Sequence, residues 1–509
     1  MNIGRLLSET ARHHADHPAL RYGDVELTYR ELDGRVNALA HGLRGLGIKQ
    51  GERAAFIAWN RAEIIEWLFA SFKLGLVVVP LNARYNADEI AYHLQDAEVS
   101  VVMHGPEFGE IVHAARAQSP SVRAVVGVGA DYEALVNESR SETDPVVEVS
   151  PDDPCWLFYT SGTTGRPKGA MLTHANLLFA VVGWAADLTP LTPDDVTLHL
   201  APLTHGAGFQ AIVAVAKGCA QVIPVPASVT AAETLDLLVD HGVTNTWMVP
   251  TQVVRLVAEL RERSTTGPAA LPALHSIVYG GAPFHVDDLI AAIEALGPAL
   301  VQLYGQGETP MTATYLRHAE HRLDDPAFVT RLASAGVART GMEVRVVGPD
   351  DPPLPDGEPG EIVVRGPAVM KGYWRRPEET ADALRSGWLH TGDVGALRDG
   401  YLFLLDRMKD LIISGGSNVY AREVEEVLLN HPAVAEVAVI GLPDRDWGER
   451  VVAVVVANGT ADADGLTAFA RERMAAYKRP KQYEFVTELP RSAYGKVLKR
   501  ELRDSLVNI

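Results

Sequence analysis

Tyr159-Thr-Ser-Gly-Thr-Thr-Gly-Arg-Pro-Lys-Gly-Ala170 is the most informative stretch of this 509-residue chain. It follows an apolar run, Cys155–Tyr159, that predicts a buried strand. The glycines permit tight turns and a close approach of the backbone. Backbone N–H groups, hydroxyls and a lysine together form a cradle for a polyphosphate. The residues predicted to line this cradle are Thr160, Ser161, Gly162, Thr163, Thr164 and Lys168.

The stretch differs from the phosphate loop of common P-loop NTPases. That loop carries Ser or Thr directly after its lysine, whereas Gly169 follows Lys168 here. The alternative is a flexible Gly/Thr loop without a ligand. The density of hydroxyls around one lysine favours the phosphate site.

Helix and strand patterns alternate on both sides of the stretch. Apolar residues recur at spacings of three and four over Glu31–Leu46, which predicts a helix, and Ala54–Ala58 predicts a buried strand. The alternation resumes from Ala220 to Leu296. Such a pattern implies a mostly parallel sheet with helices on its faces. Two further runs, Gly341–Val347 and Gly360–Arg365, predict β-structure around a loop rich in Pro, Gly and Asp.

A separate compact pattern begins after Asp406. About 100 residues are enough for a small domain. We predict an α/β protein with a large N-terminal domain (1–406), built from mostly parallel sheets, flanking helices and a β-rich subdomain. A small, mobile C-terminal α+β domain (407–509) follows. Its predicted elements are helices at Ala421–Asn430 and Leu466–Ala476 and strands at Ala435–Gly441, Val451–Val456 and Tyr483–Val486.

Composition and charge exclude several classes of protein. Hydrophobic residues make up 47% of the chain and charged residues 22%, which is ordinary for a globular protein. The net charge of −19 lies entirely in the first 406 residues, and an acidic body disfavours non-specific binding to nucleic acid. Residues 471–504 hold ten basic and five acidic residues. This basic tail predicts either contact with a small anion or an ordinary solvated surface.

The cysteines and the apolar runs predict a cytoplasmic protein. Cys155 and Cys219 are the only cysteines, too few for a disulfide framework or a closed zinc site. The longest apolar run, Val451–Ala457, is far shorter than the roughly 20 residues of a membrane-spanning helix. The N-terminus carries charges where a signal peptide would have its apolar core.

The glycine-rich stretch resembles the signature loop of the adenylate-forming, or AMP-binding, enzymes of the acyl-CoA synthetase type. Four more motifs resemble that family's motifs and follow in its order. They are Tyr-Gly-Gln-Gly-Glu-Thr (304–309), Trp-Leu-His-Thr-Gly-Asp (388–393), Asp-Arg-Met-Lys-Asp-Leu-Ile-Ile-Ser-Gly-Gly (406–416) and Leu-Pro-Arg-Ser-Ala-Tyr-Gly-Lys (489–496). Together the five motifs span nearly the whole chain.

The resemblance implies a two-step ligase reaction. A carboxylate attacks the α-phosphate of ATP to give an acyl-adenylate and pyrophosphate, and the thiol of coenzyme A then displaces AMP. Lys168 and Mg²⁺ would neutralise the pyrophosphate, and Glu308 matches the glutamate associated with the metal. Lys496 matches the lysine that bridges the carboxylate and the phosphate during adenylation.

The resemblance also places nucleotide-binding residues. Asp393 matches the carboxylate that holds the ribose hydroxyls, and Arg407 matches a ribose or phosphate contact. The other residues implied at the ATP or AMP site are Gly280, Gly281, Ala282, Tyr304, Gly305 and Thr309.

The C-terminal motifs imply a hinge and a coenzyme A site. Lys409 falls where the family has the hinge about which the small domain swings, and Gly415 and Gly416 match the loop that lines the pantetheine tunnel. In the last motif, Arg491 and Ser492 replace the usual Lys and Thr, which keeps the charge and the hydroxyl.

The acid is less constrained. His205 matches the family's gate beside the carboxylate and is a candidate catalytic residue. These stretches contain no arginine to pair a second carboxylate, so a dicarboxylic acid is disfavoured. An apolar pocket predicts an aromatic or medium-chain aliphatic monocarboxylic acid. The predicted walls are Trp184, His205, Ala207, Phe209, Gln306 and Met311.

Two alternatives to a coenzyme A ligase stay open. One is a stand-alone adenylation enzyme that loads a carrier protein. The other is a non-catalytic nucleotide-binding regulator, against which the intact Lys168, Glu308, Asp393 and Lys496 argue. The expected partners are the acid, ATP and coenzyme A, with neither nucleic acid nor a transmembrane segment. A homodimer is a further expectation, and the small-residue, basic context of Lys496 makes acetylation of this lysine a hypothesis.

Overall fold

The computed structural model describes most of the chain. Among the sequence predictions, Ser161, Gly162, Thr163, Thr164 and Lys496 lie outside the described residues. The described residues are 1–141, 143–160, 166–264, 266–267, 270–282, 284–491 and 497–506.

The chain divides into two compact units. The first comprises Met1–Val344 and Val364–Leu389, and the second comprises Arg345–Val363 and His390–Ile509. The second unit thus begins earlier in the chain than the boundary predicted after residue 406. The reason is a sheet that pairs strands from both parts of this unit. Rotation of a lid about Lys409 stays a prediction.

Helices of the first unit follow the predicted periodicity closely. The predicted helix at 31–46, for example, begins at a capping box in which Thr28 and Glu31 exchange hydrogen bonds. The helices are α1 (Arg5–His13), α2 (Tyr29–Gly45), α3 (Ala62–Lys73), α4 (Ala87–Asp96), α5 (Gly109–Ala117), α6 (Ala130–Glu138), α7 (His174–Gly183), α8 (Gly206–Lys217), α9 (Ala231–Asp240), α10 (Pro250–Glu262), α11 (Val286–Leu296), α12 (Pro326–Arg331) and α13 (Pro377–Ala383).

Strands of the first unit form two sheets. The strands are β1 (Pro18–Tyr22), β2 (Val25–Thr28), β3 (Arg53–Ile57), β4 (Val77–Pro80), β5 (Val99–His104), β6 (Ala124–Gly127), β7 (Pro154–Thr160), β8 (Lys168–Thr173), β9 (Val196–Leu198), β10 (Ala220–Ile223), β11 (Asn245–Met248), β12 (Ser276–Gly280), β13 (Leu300–Tyr304), β14 (Thr314–Leu316) and β15 (Val337–Ala338).

Both sheets are mostly parallel, as predicted. Within the described residues, one has the order β6-β5-β3-β4-β7-β8, and only its last pair is antiparallel. The other has the order β15-β14-β13-β12-β11-β9-β10-β1-β2, with antiparallel pairs at its two edges. Parallel strands are buried on both faces, which explains the short apolar runs in the sequence.

One hydrophobic core connects the two sheets. Residues of α3 and α8 pack in it together with Trp156 of β7 and Ile223 of β10. Helix α3 is apolar almost all round and buried almost throughout, as expected for a helix inside a domain. The core therefore holds β7, which leads into the glycine-rich stretch, at a fixed position.

The second unit has its own sheets and core. A four-stranded sheet, β16-β17-β18-β19, lies almost entirely within it, and β20 to β24 form another sheet. Within the described residues, no helix is both long and apolar enough to span a membrane. The elements are β16 (Glu343–Val347), β17 (Gly360–Arg365), β18 (Leu389–Arg398), β19 (Tyr401–Arg407), β20 (Ile412–Ser414), β21 (Ser417–Val419), α14 (Ala421–Leu429), β22 (Val434–Asp444), β23 (Gly448–Ala457), α15 (Ala463–Arg473), β24 (Gln482–Val486) and α16 (Lys499–Leu506).

Candidate active site

The glycine-rich stretch is flanked by two paired strands. Strands β7 and β8 run antiparallel, and Thr160 at the end of β7 lies opposite Lys168 at the start of β8. This pairing holds a hydroxyl and an ammonium group at the two ends of residues 161–167.

The motif at 304–309 begins at the carboxyl end of β13 and reaches β7. A Cβ atom on Gly307 would lie 2.3 Å from Cδ1 of Phe158 and 2.8 Å from Cγ2 of Thr160. A Cβ atom on Gly305 would lie 2.6 Å from Cα of Met311. Only glycine permits such close approaches. Gly307 therefore allows this turn to pack against β7 beside Thr160, and Gly305 allows the turn to fold closely onto Met311.

Glu308 is held at that position by two hydroxyl groups. Its side chain is buried, and Oε1 accepts hydrogen bonds from Oγ1 of Thr160 at 2.8 Å and from the hydroxyl of Tyr373 at 2.9 Å. Its backbone oxygen accepts a third from the N–H of Met370 at 2.7 Å. Nζ of Lys168 lies 4.4 Å from the centre of the Tyr373 ring. A carboxylate, two hydroxyls and an ammonium group thus meet beside the glycine-rich stretch.

Tyr373 was missed by the sequence analysis. Burial raises the pKa of its hydroxyl, and the Glu308 carboxylate raises that pKa further. The hydroxyl therefore stays protonated and donates to Glu308. Met370 and Tyr373 both contact Glu308, and no local pattern in the segment Met370-Lys-Gly-Tyr373 indicates these contacts.

The geometry at Glu308 fits a magnesium ion. Oε2 of Glu308 makes no hydrogen bond to a described residue, which leaves it for a ligand. No group of three or more His, Cys, Asp or Glu that could hold a metal occurs among the described residues. Magnesium commonly uses one or two carboxylates, with phosphate oxygens and water completing its shell. A single glutamate beside the predicted phosphate site matches that preference.

The residues predicted around adenine lie at the carboxyl ends of two neighbouring parallel strands. Gly280 ends β12, and a Cβ atom there would lie 2.4 Å from the backbone oxygen of Leu303 on β13. Gly281 follows with a φ of 80°, which favours glycine, and Tyr304 ends β13. Ligands in α/β proteins commonly bind at this edge of the sheet. The other predicted residues there are the exposed Ala282 and the fully buried Thr309.

In the second unit, the two residues predicted to contact the ribose lie opposite each other. Asp393 on β18 and Arg407 on β19 are directly paired, with Oδ1 of Asp393 3.5 Å from Nε of Arg407. Oγ1 of Thr391 accepts from the N–H of Asp393 at 3.1 Å and donates to the backbone oxygen of Ile362 at 2.7 Å. The strand pairing and Thr391 therefore position the carboxylate.

The predicted hinge residue, Lys409, lies in a short 3₁₀ turn, Met408–Asp410. Neighbouring protein atoms partly desolvate its ammonium group, and Arg407 repels it. Both effects lower its pKa. Arg503 of α16 donates to Asp410 at 3.1 Å and so connects this turn to the C-terminal helix.

Gly415 and Gly416 form the turn between β20 and β21. Their φ angles are 59° and 76°, so both are left-handed. A two-residue hairpin with positive φ at both positions strongly favours glycine or asparagine. A Cβ atom on Gly415 would also lie 2.7 Å from Cε3 of Trp447. Turn geometry thus accounts for these glycines, and their contact with coenzyme A stays a prediction.

An apolar cavity lies between α7, α8 and the turn after β13. Three of the predicted acyl-pocket residues line it: Trp184, Phe209 and Met311. Its volume is about 10 Å³, room for roughly one water molecule. Binding of an acyl group therefore requires its walls to move apart. The other lining residues are Leu177, Ala180, Val181, Ile212, Val213, Trp247, Pro310, Thr312 and Arg339.

The remaining predicted pocket residues do not line this cavity. His205 precedes α8, and its ring lies 4.9 Å from that of Phe158 in an edge-to-face arrangement. Its neighbour Gly206 faces the cavity, since a Cβ atom there would lie 2.8 Å from Cε of Met311. His205 therefore lies between β7 and the cavity, where a gate would act. Ala207 is buried in the first turn of α8, and Gln306 lies in the turn before Glu308.

The cavity wall contains an arginine that the sequence analysis did not anticipate. Arg339 donates from Nε to Oδ2 of Asp187 at 2.8 Å, and both side chains are only 2% exposed. Asp187 belongs to a π-helical turn, Trp184–Leu188, that continues α7. The sequence stretches considered for the acyl pocket contain no arginine, and Arg339 reaches the cavity from outside them. Arg339 lies 152 residues from its partner and outside the stretches that carry the motifs.

Comparison with known proteins agrees with this geometry. Residues 7–374 match the family model of the AMP-binding enzymes, and residues 423–496 match the model of the AMP-binding enzyme C-terminal domain. The chain belongs to the AMP-binding enzyme family. The first of these matches covers both flanks of the glycine-rich stretch, Glu308 and Tyr373.

Relatives of known activity extend this result. A feruloyl-CoA synthase of Amycolatopsis sp is 42% identical over 490 residues, 95% of each chain. ATP-bound MatB from Rhodopseudomonas palustris superposes with a TM-score of 0.89 at 31% identity, covering 100% of this chain and 99% of that one. o-Succinylbenzoate CoA synthetase (MenE) from Bacillus subtilis, in complex with its acyl-adenylate OSB-AMP, gives 0.87 at 32% identity and 98% coverage of both chains.

The family membership establishes the reaction class. This AMP-binding enzyme is an AMP-forming acid–thiol ligase, an acyl-CoA synthetase. It uses ATP to convert a carboxylic acid to an acyl-adenylate and transfers the acyl group to coenzyme A.

Proposed function

We propose that this ligase activates aromatic monocarboxylic acids, with Glu308 holding Mg²⁺ and Lys168 contacting the phosphates of ATP. The cavity beside α7 and α8 would receive the acyl group. The observation that carries the substrate class is the aromatic lining of this cavity. The rings of Trp184 and Trp247 lie 6.0 Å apart, and Phe209 completes the wall.

Similar proteins support an aromatic acid. Feruloyl and o-succinylbenzoyl groups, named for two of the relatives, both contain a benzene ring. Aromatic rings favour tilted or offset contacts at 4.5–7 Å, and the indoles of this cavity already have such a geometry. A benzene ring entering between them would find walls of matching chemistry.

Adenylation brings a carboxylate against a triphosphate, so negative charge must be neutralised. Lys168 supplies a positive charge beside the stretch that would hold the phosphates, and its position above the Tyr373 ring orients it. Thr160 and Tyr373 fix the Glu308 carboxylate. Bound Mg²⁺ would polarise the phosphate oxygens there. His205, between β7 and the cavity, would lie where the acid carboxylate enters.

The second unit would hold the sugar and carry the second half-reaction. Asp393 can accept hydrogen bonds from both ribose hydroxyls, and Arg407 would contact the ribose or the phosphate. Lys496 would bridge the carboxylate and the α-phosphate during adenylation. Rotation about Lys409 would then withdraw Lys496 and bring Gly415 and Gly416 to the pantetheine chain.

Pyrophosphate release tests this function. The full-length protein is incubated with ATP, Mg²⁺ and a panel of aromatic, short-chain and medium-chain acids, with and without coenzyme A. Release that requires an aromatic acid and turns over only with coenzyme A is expected. Preferential turnover of unbranched aliphatic acids would contradict the aromatic assignment. Release limited to about one equivalent despite coenzyme A would instead indicate a carrier-protein acceptor.

The cytoplasmic location and the homodimer were both predicted from the sequence. Both cysteines are buried and unpaired, as in a reducing compartment, and a cytoplasmic location stays a prediction. A homodimer also stays a prediction.

A further inference from the structure

Two residues that line the acyl cavity each carry a buried donor atom that has no hydrogen-bond partner among the described residues. The donor atoms are Nη2 of Arg339 and Nε1 of Trp184, on residues that are 2% and 5% exposed. A guanidinium and an indole N–H can only donate. None of the described residues that line the cavity has an unpartnered buried acceptor on its side chain. Because buried donors need acceptors, this cavity is chemically incomplete without an oxygen or nitrogen from a ligand.

The two donors belong to one local structure. Trp184 and Asp187 lie on the same π-helical turn, and Asp187 accepts from Nε of Arg339. Gly183, directly before that turn, leaves room for the guanidinium, since a Cβ atom there would lie 3.2 Å from Nη2 of Arg339. π-Helical turns occur frequently at functional sites. The turn therefore presents the indole and, through Asp187, the guanidinium to the same cavity.

The ion pair of Asp187 and Arg339 favours a neutral hydrogen-bond acceptor on the ligand. Asp187 already neutralises Arg339, and it also accepts from the N–H of Thr340 at 3.1 Å and from its hydroxyl at 2.7 Å. Burial lowers the pKa of the Arg339 guanidinium, while Asp187 raises it. A carboxylate bound here would add an uncompensated charge among apolar walls. A hydroxyl or ether oxygen would satisfy both donors without that charge.

We infer that the aromatic acid carries a neutral oxygen substituent, a hydroxyl or an alkoxy group, that accepts hydrogen bonds from Arg339 and Trp184. This inference rests on the proposed function and narrows its substrate class. Neither Thr160, Lys168 nor Glu308 lines the cavity, so the oxygen lies on the acyl group, away from the reacting carboxylate. Sites built to bind a hydroxyl reject analogues that lack it far more strongly than apolar pockets discriminate by size.

Matched acids test the inference in the unmodified enzyme. Pyrophosphate release with coenzyme A is measured for 3-phenylpropenoic acids with hydrogen, methyl, hydroxyl, methoxy or carboxylate at the para or meta position. We expect kcat/KM to be about 10- to 100-fold higher for the best hydroxyl or methoxy acid than for the methyl acid of similar size. The acid with a second carboxylate should react poorly.

Variants assign the preference to the two donors. Trp184→Phe keeps a ring and removes the unpartnered N–H, and the double variant Asp187→Asn, Arg339→Gln removes both charges together. In each variant, the ratio of kcat/KM for the hydroxyl acid to kcat/KM for the methyl acid should fall about fivefold or more. Trp247→Phe is the control, because it alters a ring of the same cavity without removing an unpartnered buried donor.

Each outcome decides between the two proposals. If an active enzyme has nearly the same kcat/KM for the hydroxyl and the methyl acid, the inference is overturned. The two donors would then hold only a buried water molecule. An equal fall of the ratio in Trp184→Phe and Trp247→Phe would overturn it too, since ring packing would then be the cause. If no aromatic acid reacts while aliphatic acids do, the proposed function itself fails.

Discussion

Asp393 and Arg407 lie directly opposite each other on antiparallel strands, with Oδ1 of the carboxylate 3.5 Å from Nε of the guanidinium. This separation is longer than a strong hydrogen bond. The two groups attract each other and lie side by side on the paired strands. The carboxylate can accept hydrogen bonds from ribose hydroxyls, and the guanidinium can contact the negative charge of a phosphate attached to that ribose.

Replacing Asp393 should weaken ATP binding. Asp393→Asn keeps the shape but loses the charge that strengthens hydrogen bonds from the ribose diol, a loss of about 1.5–3 kcal/mol. We expect KM for ATP to rise about 10- to 100-fold. Initial rates of pyrophosphate release over a range of ATP concentrations measure this change.

A surface ion pair provides the control for Asp393→Asn. Glu343 pairs with Arg365 at 2.7 Å, and both side chains are about half exposed. Glu343→Gln should leave KM for ATP nearly unchanged, because exposed pairs contribute little. Equal values of KM in wild type and Asp393→Asn would argue against a nucleotide contact at Asp393.

Tyr373→Phe should weaken the hold on Glu308 while leaving Lys168 over an aromatic ring. The variant removes the hydroxyl that donates to Oε1 at 2.9 Å, and Thr160 remains as the second donor. Losing one hydrogen bond of this kind costs about 1 kcal/mol. We expect the Mg²⁺ concentration for half-maximal adenylation to rise about fivefold. Magnesium titrations of pyrophosphate release provide the measurement.

The companion variant Tyr373→Leu separates the two functions of this tyrosine. It removes both the hydroxyl and the ring beneath Lys168. KM for ATP should therefore rise in Tyr373→Leu but change little in Tyr373→Phe. If both variants have the same KM for ATP and the same Mg²⁺ requirement, the contacts of Tyr373 do not affect the site.

The fold was predictable because its signals are local. Parallel strands such as β4 and β5 are buried completely and appear as short apolar runs. Helices such as α2 show their periodicity and their caps in the sequence itself. Glu308 was singled out because the motif at 304–309 resembles a family motif, and its role at the metal stays a prediction.

Tyr373 and Arg339 were not predictable, because their roles depend on distant partners. Tyr373 reaches Glu308 across 65 residues, and Arg339 reaches Asp187 across 152. A tyrosine in an ordinary loop and an arginine after a short strand carry no periodic signal. Their meaning follows only from burial: the Tyr373 hydroxyl faces a carboxylate, and Nη2 of Arg339 has no hydrogen-bond partner among the described residues.

Lys496→Ala should separate the two half-reactions. If Lys496 bridges the carboxylate and the α-phosphate, its loss should slow adenylation by about 10²- to 10³-fold. Transfer of the acyl group from supplied acyl-AMP to coenzyme A should proceed nearly as in wild type. Arg500→Ala is the matched control, because Arg500 lies in the same basic tail and, among the residues the structure describes, pairs only with the exposed Asp504. Equal loss in both half-reactions would contradict the alternation of the C-terminal unit.

Variants of Gly416 test whether the turn between β20 and β21 contacts coenzyme A, and they complement the test at Lys496. Its φ of 76° suits asparagine better than other non-glycine residues, and a Cβ atom there would meet open space. Gly416→Asn should therefore keep both half-reactions near wild type. Gly416→Val should slow transfer to coenzyme A and spare adenylation. Acyl-AMP formation and thioester formation are measured separately, and a loss of adenylation in Gly416→Val would contradict the predicted role in coenzyme A binding.

His199 should make the enzyme less stable in mild acid. Its ring is buried, Nε2 lies 2.9 Å from Oε1 of Gln221, and Nδ1 has no hydrogen-bond partner in the part of the chain that the structure describes. Burial lowers its pKa to about 4, whereas an unfolded histidine has a pKa of about 6.5. Between these values the unfolded chain binds a proton that the folded chain does not. The free energy of unfolding therefore falls as pH drops from about 6.5 to 4, by up to about 3 kcal/mol for this residue.

His199→Asn should flatten that dependence. The amide can still donate to Gln221 but does not titrate, so the variant should lose less stability than wild type between pH 7 and pH 4. His174 and His321, whose pKa values burial also lowers to about 4, maintain part of the slope. Thermal unfolding measured across this range provides the test, with the surface variant His113→Asn as the control. An unchanged slope in His199→Asn would mean that the folded protein accommodates a protonated His199.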